Sequence, residues 1–169
     1  MPMGNCANGN RMNLTHRLSR RPLTPDDLDL VCRHRAAMFR ESGRPEDAIA
    51  SMAAPFHDWL APRLADGRYF GFVLEDADGV AVAGIGLMEI DWPPHPAHPG
   101  EGRRGYILNV YVEPTHRRRG LARQLMDLAE AEFRRRGVAY AILHATAAGR
   151  PLYEQAGWGP TTEMAKALT

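Results

Sequence analysis

Three consecutive arginines, Arg117, Arg118 and Arg119, stand immediately before Gly120, Leu121 and Ala122 at the start of a helix. Leu121, Leu125, Leu128, Ala129 and Phe133 recur at helical spacing, so that helix runs over about 119–136. Its dipole already makes the N-terminal end positive, and each exposed, unpaired cation there is unfavourable by roughly 0.3–1 kcal/mol. No Asp or Glu caps this start. Free N–H groups, a positive dipole end, clustered guanidinium groups and a glycine that permits close backbone approach make a cradle for phosphate. The alternative is a solvated, arginine-rich loop paired with carboxylates such as Glu113, and electrostatics alone divide the two readings evenly. The second triplet, at 134–136, complements the dipole ahead of the stop at Gly137 and needs no function.

Other reactive side chains offer less. His95 and His98 are three apart, but the prolines around them prevent helical or strand geometry, and no cysteine or carboxylate cluster completes a metal site. Cys32 lies on a helical stripe and reads as core rather than nucleophile. Cys6 lies in a Gly/Asn-rich start, so no structural disulfide is expected and a reducing cytoplasm is the compartment that fits. The arginine triplets sit at opposite ends of one helix without aromatic interleaving, so nucleic acid is not an expected partner.

These residues need elements to hold them. A weakly alternating strand is expected at 15–20. Thr24 as N-cap, Pro25 at N1, and Asp26 and Asp27 in the first turn then open a helix. That helix carries Leu28, Val31, Cys32, Arg35 and Phe39 at helical spacing and stops at Ser42-Gly43. A second helical region, 45–64, has an apolar side of Ile49, Met52, Ala53, Phe56 and Leu60, with Pro55 and Pro62 expected to interrupt it. Strands at 69–75 and 80–90 flank the turn signal Asp78-Gly79. The segment 91–104 carries four prolines and reads as a long loop. Strands at 106–112 and 139–146 bracket the arginine helix as a βαβ unit, which pairs its strands in parallel. A short helix from 151 ends at Gly157, and 161–168 reads as a last strand. This order argues an α/β or α+β fold around one central, mostly antiparallel sheet.

Composition bounds the rest. With 169 residues, 44% hydrophobic and 24% charged, the chain can bury a core without staples, and a net charge of +1 argues against a polyanion binder. No apolar run is long enough to span a membrane, and residues 1–13 lack the apolar stretch of a signal peptide. They are expected to form a flexible tail ahead of a single domain over 14–169.

The strand Leu108-Asn109-Val110-Tyr111-Val112, then Glu113-Pro114-Thr115-His116, then Arg117-Arg118-Arg119-Gly120-Leu121-Ala122 resembles the GNAT superfamily of acyl-CoA-dependent N-acyltransferases. The family signature is Gln/Arg-x-x-Gly-x-Gly/Ala at a helix start after a strand, and Arg117, Gly120 and Ala122 fall on its defining positions. Leu152-Tyr153-Glu154-Gln155-Ala156-Gly157-Trp158 is similar to the family's closing Leu-Tyr-Glu-x-x-Gly-aromatic segment. The resemblance implies the GNAT fold, a mixed, mostly antiparallel sheet flanked by helices, with one splayed pair of parallel strands. It implies acetyl-CoA as co-substrate, and no metal. Backbone groups of Val110, Tyr111 and Val112 would pair with the pantetheine arm as an added strand. Arg117 stands at the signature's first position, and N–H groups of Arg118, Arg119, Gly120, Leu121, Ala122 and Arg123 would take the pyrophosphate. Where many members carry an Asn after the strand at 139–146, this chain has Thr146-Ala147-Ala148-Gly149, which leaves the contacts from that side undefined.

Acyl transfer from a thioester to an amine needs no covalent enzyme intermediate. The amine must be neutral, and a lysine-like amine has a pKa of about 10.4 in water, so a base must take its proton. The resemblance puts the Tyr153 hydroxyl near the thioester sulfur as acid; the alternative is a helix tyrosine packed on Trp158. Glu89 interrupts an apolar strand and is one candidate base, acting through water with a pKa raised by partial burial. The alternative for Glu89 is an outward residue paired with Arg103 or Arg104. His144, at the end of the strand 139–146, is the other candidate base, or a structural strand end. Tyr106 and Asn109 are weaker candidates, and water alone could serve. A backbone N–H near Val110 would meet the oxyanion. The reading is a cytoplasmic, bacterial-like N-acetyltransferase that forms a ternary complex and acts on a primary amine, small rather than protein-borne. The acceptor site is expected between the two N-terminal helices and the loop 91–104, walled by Phe39, Glu41, Phe56, Trp59 and Trp92. Glu41, Glu89 and Asp91 would favour a cationic acceptor. No membrane or nucleic acid is expected, and a homodimer is open. The rival is a non-catalytic acyl-CoA-binding or sensor protein of the same fold, which needs the cradle but neither Tyr153 nor a base.

Overall fold

Arg21 joins the first strand to the first helix. Its guanidinium donates to both oxygens of the buried Asp27 at 2.7 and 2.8 Å, and its Nε donates to Glu75 at 2.6 Å. Asp27 in turn accepts the Thr24 backbone N–H at 2.8 Å, a reciprocal cap of the kind the Thr24-Pro25-Asp26-Asp27 run encodes. In the computed structural model, which describes residues 18–96 and 98–168, the elements are β1 (Ser19–Pro22), α1 (Leu28–Glu41), α2 (Glu46–Ala65), β2 (Tyr69–Glu75), β3 (Ala81–Asp91), β4 (Arg103–Val112), α3 (Leu121–Arg135), β5 (Ala141–Leu143) and α4 (Arg150–Gln155). The five strands form one sheet in the order β1-β2-β3-β4-β5, antiparallel except for the parallel pair β4–β5. The mixed, mostly antiparallel sheet flanked by helices is therefore present.

One face of the sheet packs α3. Leu121, Leu125, Met126, Ala129 and Phe133 meet Leu74, Val82, Leu87 and Ile107. The other face packs α1 and α2, where Val31, Phe56, Leu60 and Leu64 gather around Tyr69, Met88 and Leu108. Cys32 packs at the edge of that second cluster. Gly105 lets the two halves of the βαβ unit close, because a Cβ there would lie 2.7 Å from the Phe133 ring.

Several boundaries differ from the sequence reading. Helix α2 runs unbroken through Pro55 and Pro62. Both prolines are exposed, so the carbonyls they leave without partners meet water, while the buried stripe Ile49, Phe56, Leu60 and Leu64 holds the helix to the sheet. Ala53 is exposed rather than part of that stripe. Strands β3 and β4 extend to a register that pairs Asp91 with Arg103, which shortens the long loop. The strand expected over 139–146 is only Ala141–Leu143, and 161–168 forms no strand. Glu163, Lys166 and two alanines in the tail disfavour a strand, and the three-residue β5 offers it little edge. The expected first strand is shifted to Ser19–Pro22. Its residues 15–17, the expected tail 1–13 and Cys6 lie outside the described residues. Among the described residues, no helix is long and apolar enough to cross a membrane, and no group of three or more His, Cys, Asp or Glu could hold a metal.

Candidate functional site

A bulge in β4 organises the site. Gly86 of β3 pairs with Leu108 and Gly84 pairs with Tyr111, so Asn109 and Val110 together face the single residue Ile85. Such a bulge bends a strand and sharpens its twist. Asn109 takes the left-handed conformation, φ +51°, which an Asn side chain tolerates when it is hydrogen-bonded nearby. Its Nδ2 donates to the Tyr69 hydroxyl at 2.8 Å, and its Oδ1 accepts from Arg35 Nη1 at 2.9 Å. The bulge is thereby pinned to β2 on one side and α1 on the other. Parallel pairing with β5 stops just before it, at Ile107 and Leu143. From Leu108 to Val112 the β4 edge away from β3 has no strand partner among the described residues.

That open edge leads to the start of α3. A turn at Pro114–His116 follows β4, Arg118 sits at φ +60°, and Gly120 sits at φ +79° as the helix N-cap. Left-handed residues in such a loop turn successive N–H groups to one side. Among the described residues, no backbone or side-chain acceptor meets the N–H groups of 118–123, and no side chain caps α3. Among the described residues, a Cβ on Gly120 would meet nothing within 4 Å, so the space beside that glycine is open. These features fit a pyrophosphate, with the free β4 edge beside it for an extended arm.

The arginine side chains divide the work. Arg117 donates to Glu41 at 2.6 Å and to the Val112 carbonyl at 3.0 Å, so it ties the loop to α1 rather than to Glu113. Arg123 pairs with Asp127 at 2.9 Å. Arg118 and Arg119 are exposed, without an ion pair among the described residues.

Tyr153 lies on α4, half-buried against the α3-side core. Burial pushes its hydroxyl pKa up from a range already well above neutral. Tyr153 and His144 both line a cavity of about 690 Å³ along the outer edge of β5, under the C-terminal segment. Residues 110–112 and 117–123 do not line it. His144 is exposed one residue beyond β5, with its ring edge-on to Tyr106 at 5.7 Å between centroids. The Tyr106 hydroxyl is raised by burial and then by Glu163, with Arg35 opposing. The structure holds Glu89 differently. Its carboxylate accepts from Arg103 and from Arg136, the latter at 3.3 Å.

Of the expected acceptor walls, Phe39, Phe56 and Trp59 come together. The Arg35 guanidinium lies 4.9 Å from the Phe39 ring and 4.4 Å from the Phe56 ring, and Phe56 stacks on Trp59 at 5.9 Å. Trp92 instead stacks on Arg104 at 4.0 Å. Glu41 is engaged by Arg117, and Asp91 is exposed. Sequence reasoning assigned no role to Arg35 or Tyr69. The available signal was Arg35 itself, a cation on the apolar stripe of its helix.

The model of the Acetyltransferase (GNAT) family matches residues 30–158. A GCN5-related N-acetyltransferase from Ralstonia eutropha is 60% identical, over 90% of this chain and 99% of that one, with a TM-score of 0.88. A predicted acetyltransferase from Clostridium acetobutylicum, solved with acetyl-CoA, is 26% identical over 89% of this chain and 96% of that one, with a TM-score of 0.78. A ribosomal-protein-alanine N-acetyltransferase from Brucella melitensis, 20% identical over 90% of this chain and 99% of that one, shares the fold at a TM-score of 0.64. No curated protein matches the chain.

Proposed function

The chain belongs to the GNAT acetyltransferase family, and on that premise we propose that it moves an acetyl group from acetyl-CoA to a small primary amine by direct attack in a ternary complex. One observation carries the reading. The β4 edge over 108–112, without a strand partner among the described residues, leads to six backbone N–H groups, 118–123, that have no acceptor among those residues, with open space beside Gly120. A ligand that combines an extended amide-bearing arm with a pyrophosphate satisfies both at once. The Clostridium relative solved with acetyl-CoA supports the same ligand.

Acetyl-CoA, when bound, supplies the activated carbonyl. The N–H groups of Arg118, Arg119, Gly120, Leu121, Ala122 and Arg123 hold the pyrophosphate. Backbone groups of Val110, Tyr111 and Val112 align the arm, and Arg117, fixed on Glu41, shapes the loop. An N–H at the bulge meets charge developing on the carbonyl oxygen. Tyr153, protonated at neutral pH as tyrosines are, gives its proton to the departing sulfur. His144, at the mouth of the splayed pair, takes the proton of the amine. Glu89 is set aside as base because Arg103 and Arg136 occupy its carboxylate.

Calorimetric titration with acetyl-CoA, beside thiol-release assays on an amine panel, tests this. Saturable binding is expected in the wild type and at least a tenfold loss, about 1.4 kcal/mol, in Gly120→Glu, which puts a carboxylate among the donors. Tyr153→Phe should slow thiol release while leaving acetyl-CoA affinity intact. No binding at millimolar acetyl-CoA would overturn the cradle. Equal turnover in Tyr153→Phe would remove the acid assignment. Binding without turnover on any amine would favour the non-catalytic acyl-CoA binder.

A further inference from the structure

We infer that the acceptor amine carries a carboxylate, and that Arg35 is the residue that receives it. The inference rests on the acetyl-transfer reading above. Arg35 occupies an apolar-face position on α1, its guanidinium flanked by the Phe39 and Phe56 rings at 4.9 and 4.4 Å. Among the described residues it makes one side-chain hydrogen bond, Nη1 to Asn109 Oδ1 at 2.9 Å, and its buried Nε has no partner. No carboxylate forms an ion pair with it among the described residues. The residues outside that set contain no Asp or Glu, so no acidic side chain of this chain is left to neutralise it there.

The contrast with the other face of the sheet is chemical. There, Arg103 and Arg136 share Glu89, and Arg136 also meets Glu132 at 2.7 Å. Arg136 also lies 3.6 Å over the Phe70 ring, and on the α1–α2 face Arg40 pairs with Glu46 and Arg117 with Glu41, while Arg63 and Arg104 lean on aromatic rings as Arg35 does. Arg63 lies 4.2 Å over Trp59, and Arg104 lies 4.0 Å over Trp92 and 4.7 Å over Tyr140, neither with a carboxylate partner among the described residues. The other carboxylates of α1 and α2 are engaged elsewhere or exposed: Glu46 is held by Arg40, Asp29, Asp47 and Asp58 are exposed, and none of them pairs with Arg35. Glu41 is taken by Arg117, Asp91 is exposed, and Glu163, which acts on Tyr106 from the C-terminal segment, is exposed and makes no ion pair with Arg35. A half-buried guanidinium with spare donors, in a setting short of available carboxylates, is complementary to an anion.

Position makes the anion part of the acceptor. Arg35 is bonded to Asn109, the neighbour of Val110, and the bulge at these two residues is where the acetyl carbonyl lies in the proposed complex. An amine that attacks there brings whatever its α-carbon bears against Arg35. A carboxylate on that carbon, as in an amino acid, reaches the guanidinium while the nitrogen reaches the acetyl carbon. The Phe39, Phe56 and Trp59 rings then offer their apolar faces to a side chain. In the transfer the nitrogen lone pair forms the C–N bond and the C–S bond breaks. His144 takes the ammonium proton before attack, the nitrogen gives its second proton to solvent as the C–N bond forms, the sulfur leaves as thiol with a proton from Tyr153, and solvent reprotonates Tyr153. The products are an N-acetylated amino acid and free CoA.

The test compares matched acceptors by thiol release at saturating acetyl-CoA. L-Phenylalanine and L-leucine are set against phenethylamine and 3-methylbutylamine, which lack only the carboxylate, with the remaining L-amino acids and their amides as a wider panel. A charge-assisted bond of this kind corresponds to a preference of roughly ten- to a hundredfold in kcat/KM for the carboxylate-bearing members. Arg35→Gln should abolish that preference chiefly through KM, with acetyl-CoA affinity by calorimetry unchanged, and Arg35→Lys should restore part of it. Circular dichroism of both variants separates a binding loss from a folding loss. Equal or better turnover of the decarboxylated amines by the wild type overturns the inference, as does a preference that survives in a folded Arg35→Gln. Thiol release from neither set, with acetyl-CoA still bound, also overturns it. Failure of acetyl-CoA itself to bind overturns the underlying site instead.

Discussion

Removing one oxygen from Tyr69 tests whether the β4 bulge is held as described. Tyr69 is 1% exposed and Asn109 is 6% exposed, and the bond between them spans 2.8 Å. Tyr69→Phe keeps the ring and its packing but leaves the Asn109 amide with a buried donor that has lost its acceptor. Such an orphaned group costs about 1–3 kcal/mol. Asn109→Ala loses the same bond, frees Arg35 from its anchor, and leaves at φ +51° a side chain with no polar group to offset a left-handed cost of about 1–2 kcal/mol. The single substitutions should therefore cost about 1–3 and 2–5 kcal/mol, and the double mutant less than their sum, because the shared bond is lost only once. A coupling of about 1–2 kcal/mol is expected from the cycle. Urea unfolding of the four proteins measures it, with tryptophan fluorescence as the signal, since Trp59 stands edge-on to residue 69 at 6.3 Å. Acetyl-CoA affinity should weaken in Asn109→Ala as the free β4 edge loosens. Additivity within about 0.5 kcal/mol, or a Tyr69→Phe effect below that, would refute the claim that this bond holds the bulge.

His34 supplies a pH prediction. It is 4% exposed, and burial, with the nearby charge of Arg33, lowers its pKa to about 4. Tyr111 lies 4.8 Å away between ring centroids, and Glu113 lies 3.9 Å from Nε2. Because the folded pKa is below the unfolded value of about 6.5, the unfolded chain binds the extra proton between the two. Stability should fall as pH drops through that window, by up to about 1.4 kcal/mol per pH unit. His34→Gln should flatten the slope of denaturant midpoint against pH, and an unchanged slope would remove His34 as its source. Gly105→Ala drives a Cβ to 2.7 Å from the Phe133 ring and should cost about 1–3 kcal/mol. Phe133→Leu in the same chain should recover part of it, and thermal unfolding that shows no cost for Gly105→Ala would contradict the close approach. His144→Gln should lower kcat at least tenfold with acetyl-CoA affinity unchanged, and turnover equal to wild type would dismiss it as base.

The helix starts and the sheet were legible because their signals are local. Thr24, Pro25 and Asp27 announce α1, Gly120 and Gly137 bracket α3, and Asp78-Gly79 marks the β2–β3 hairpin. What escaped depends on partners distant in the chain. Pro55 and Pro62 look like breaks until their exposure shows that water serves the freed carbonyls, and the buried stripe that carries the helix past them is a tertiary fact. The strand at 139–146 is curtailed by a bulge more than 30 residues away in sequence, as the Arg35–Asn109 and Asn109–Tyr69 bonds span separations of 74 and 40 residues. The two fates foreseen for Glu89, base or ion-pair partner, also turned on long-range neighbours. Arg103 could be named in advance, whereas Arg136 comes from the far end of α3.

The same bulge explains why the two halves of the site are joined. A regular β4 would continue its pairing with β5 past Ile107 and close the edge that the acetyl-CoA arm is proposed to use. The irregularity that prevents this needs a residue tolerant of positive φ, and Asn109 is also a donor and an acceptor. Its donor is spent on Tyr69 in the apolar core, and its acceptor draws Arg35 in from α1. One side chain therefore opens the co-substrate edge and sets a cation beside it. A substitution that preserved the backbone without the amide, such as Asn109→Gly, should keep the edge open but release Arg35. Acetyl-CoA would then bind nearly as before while KM for a carboxylate-bearing amine rises, and an equal loss of both would show that the amide serves only the backbone.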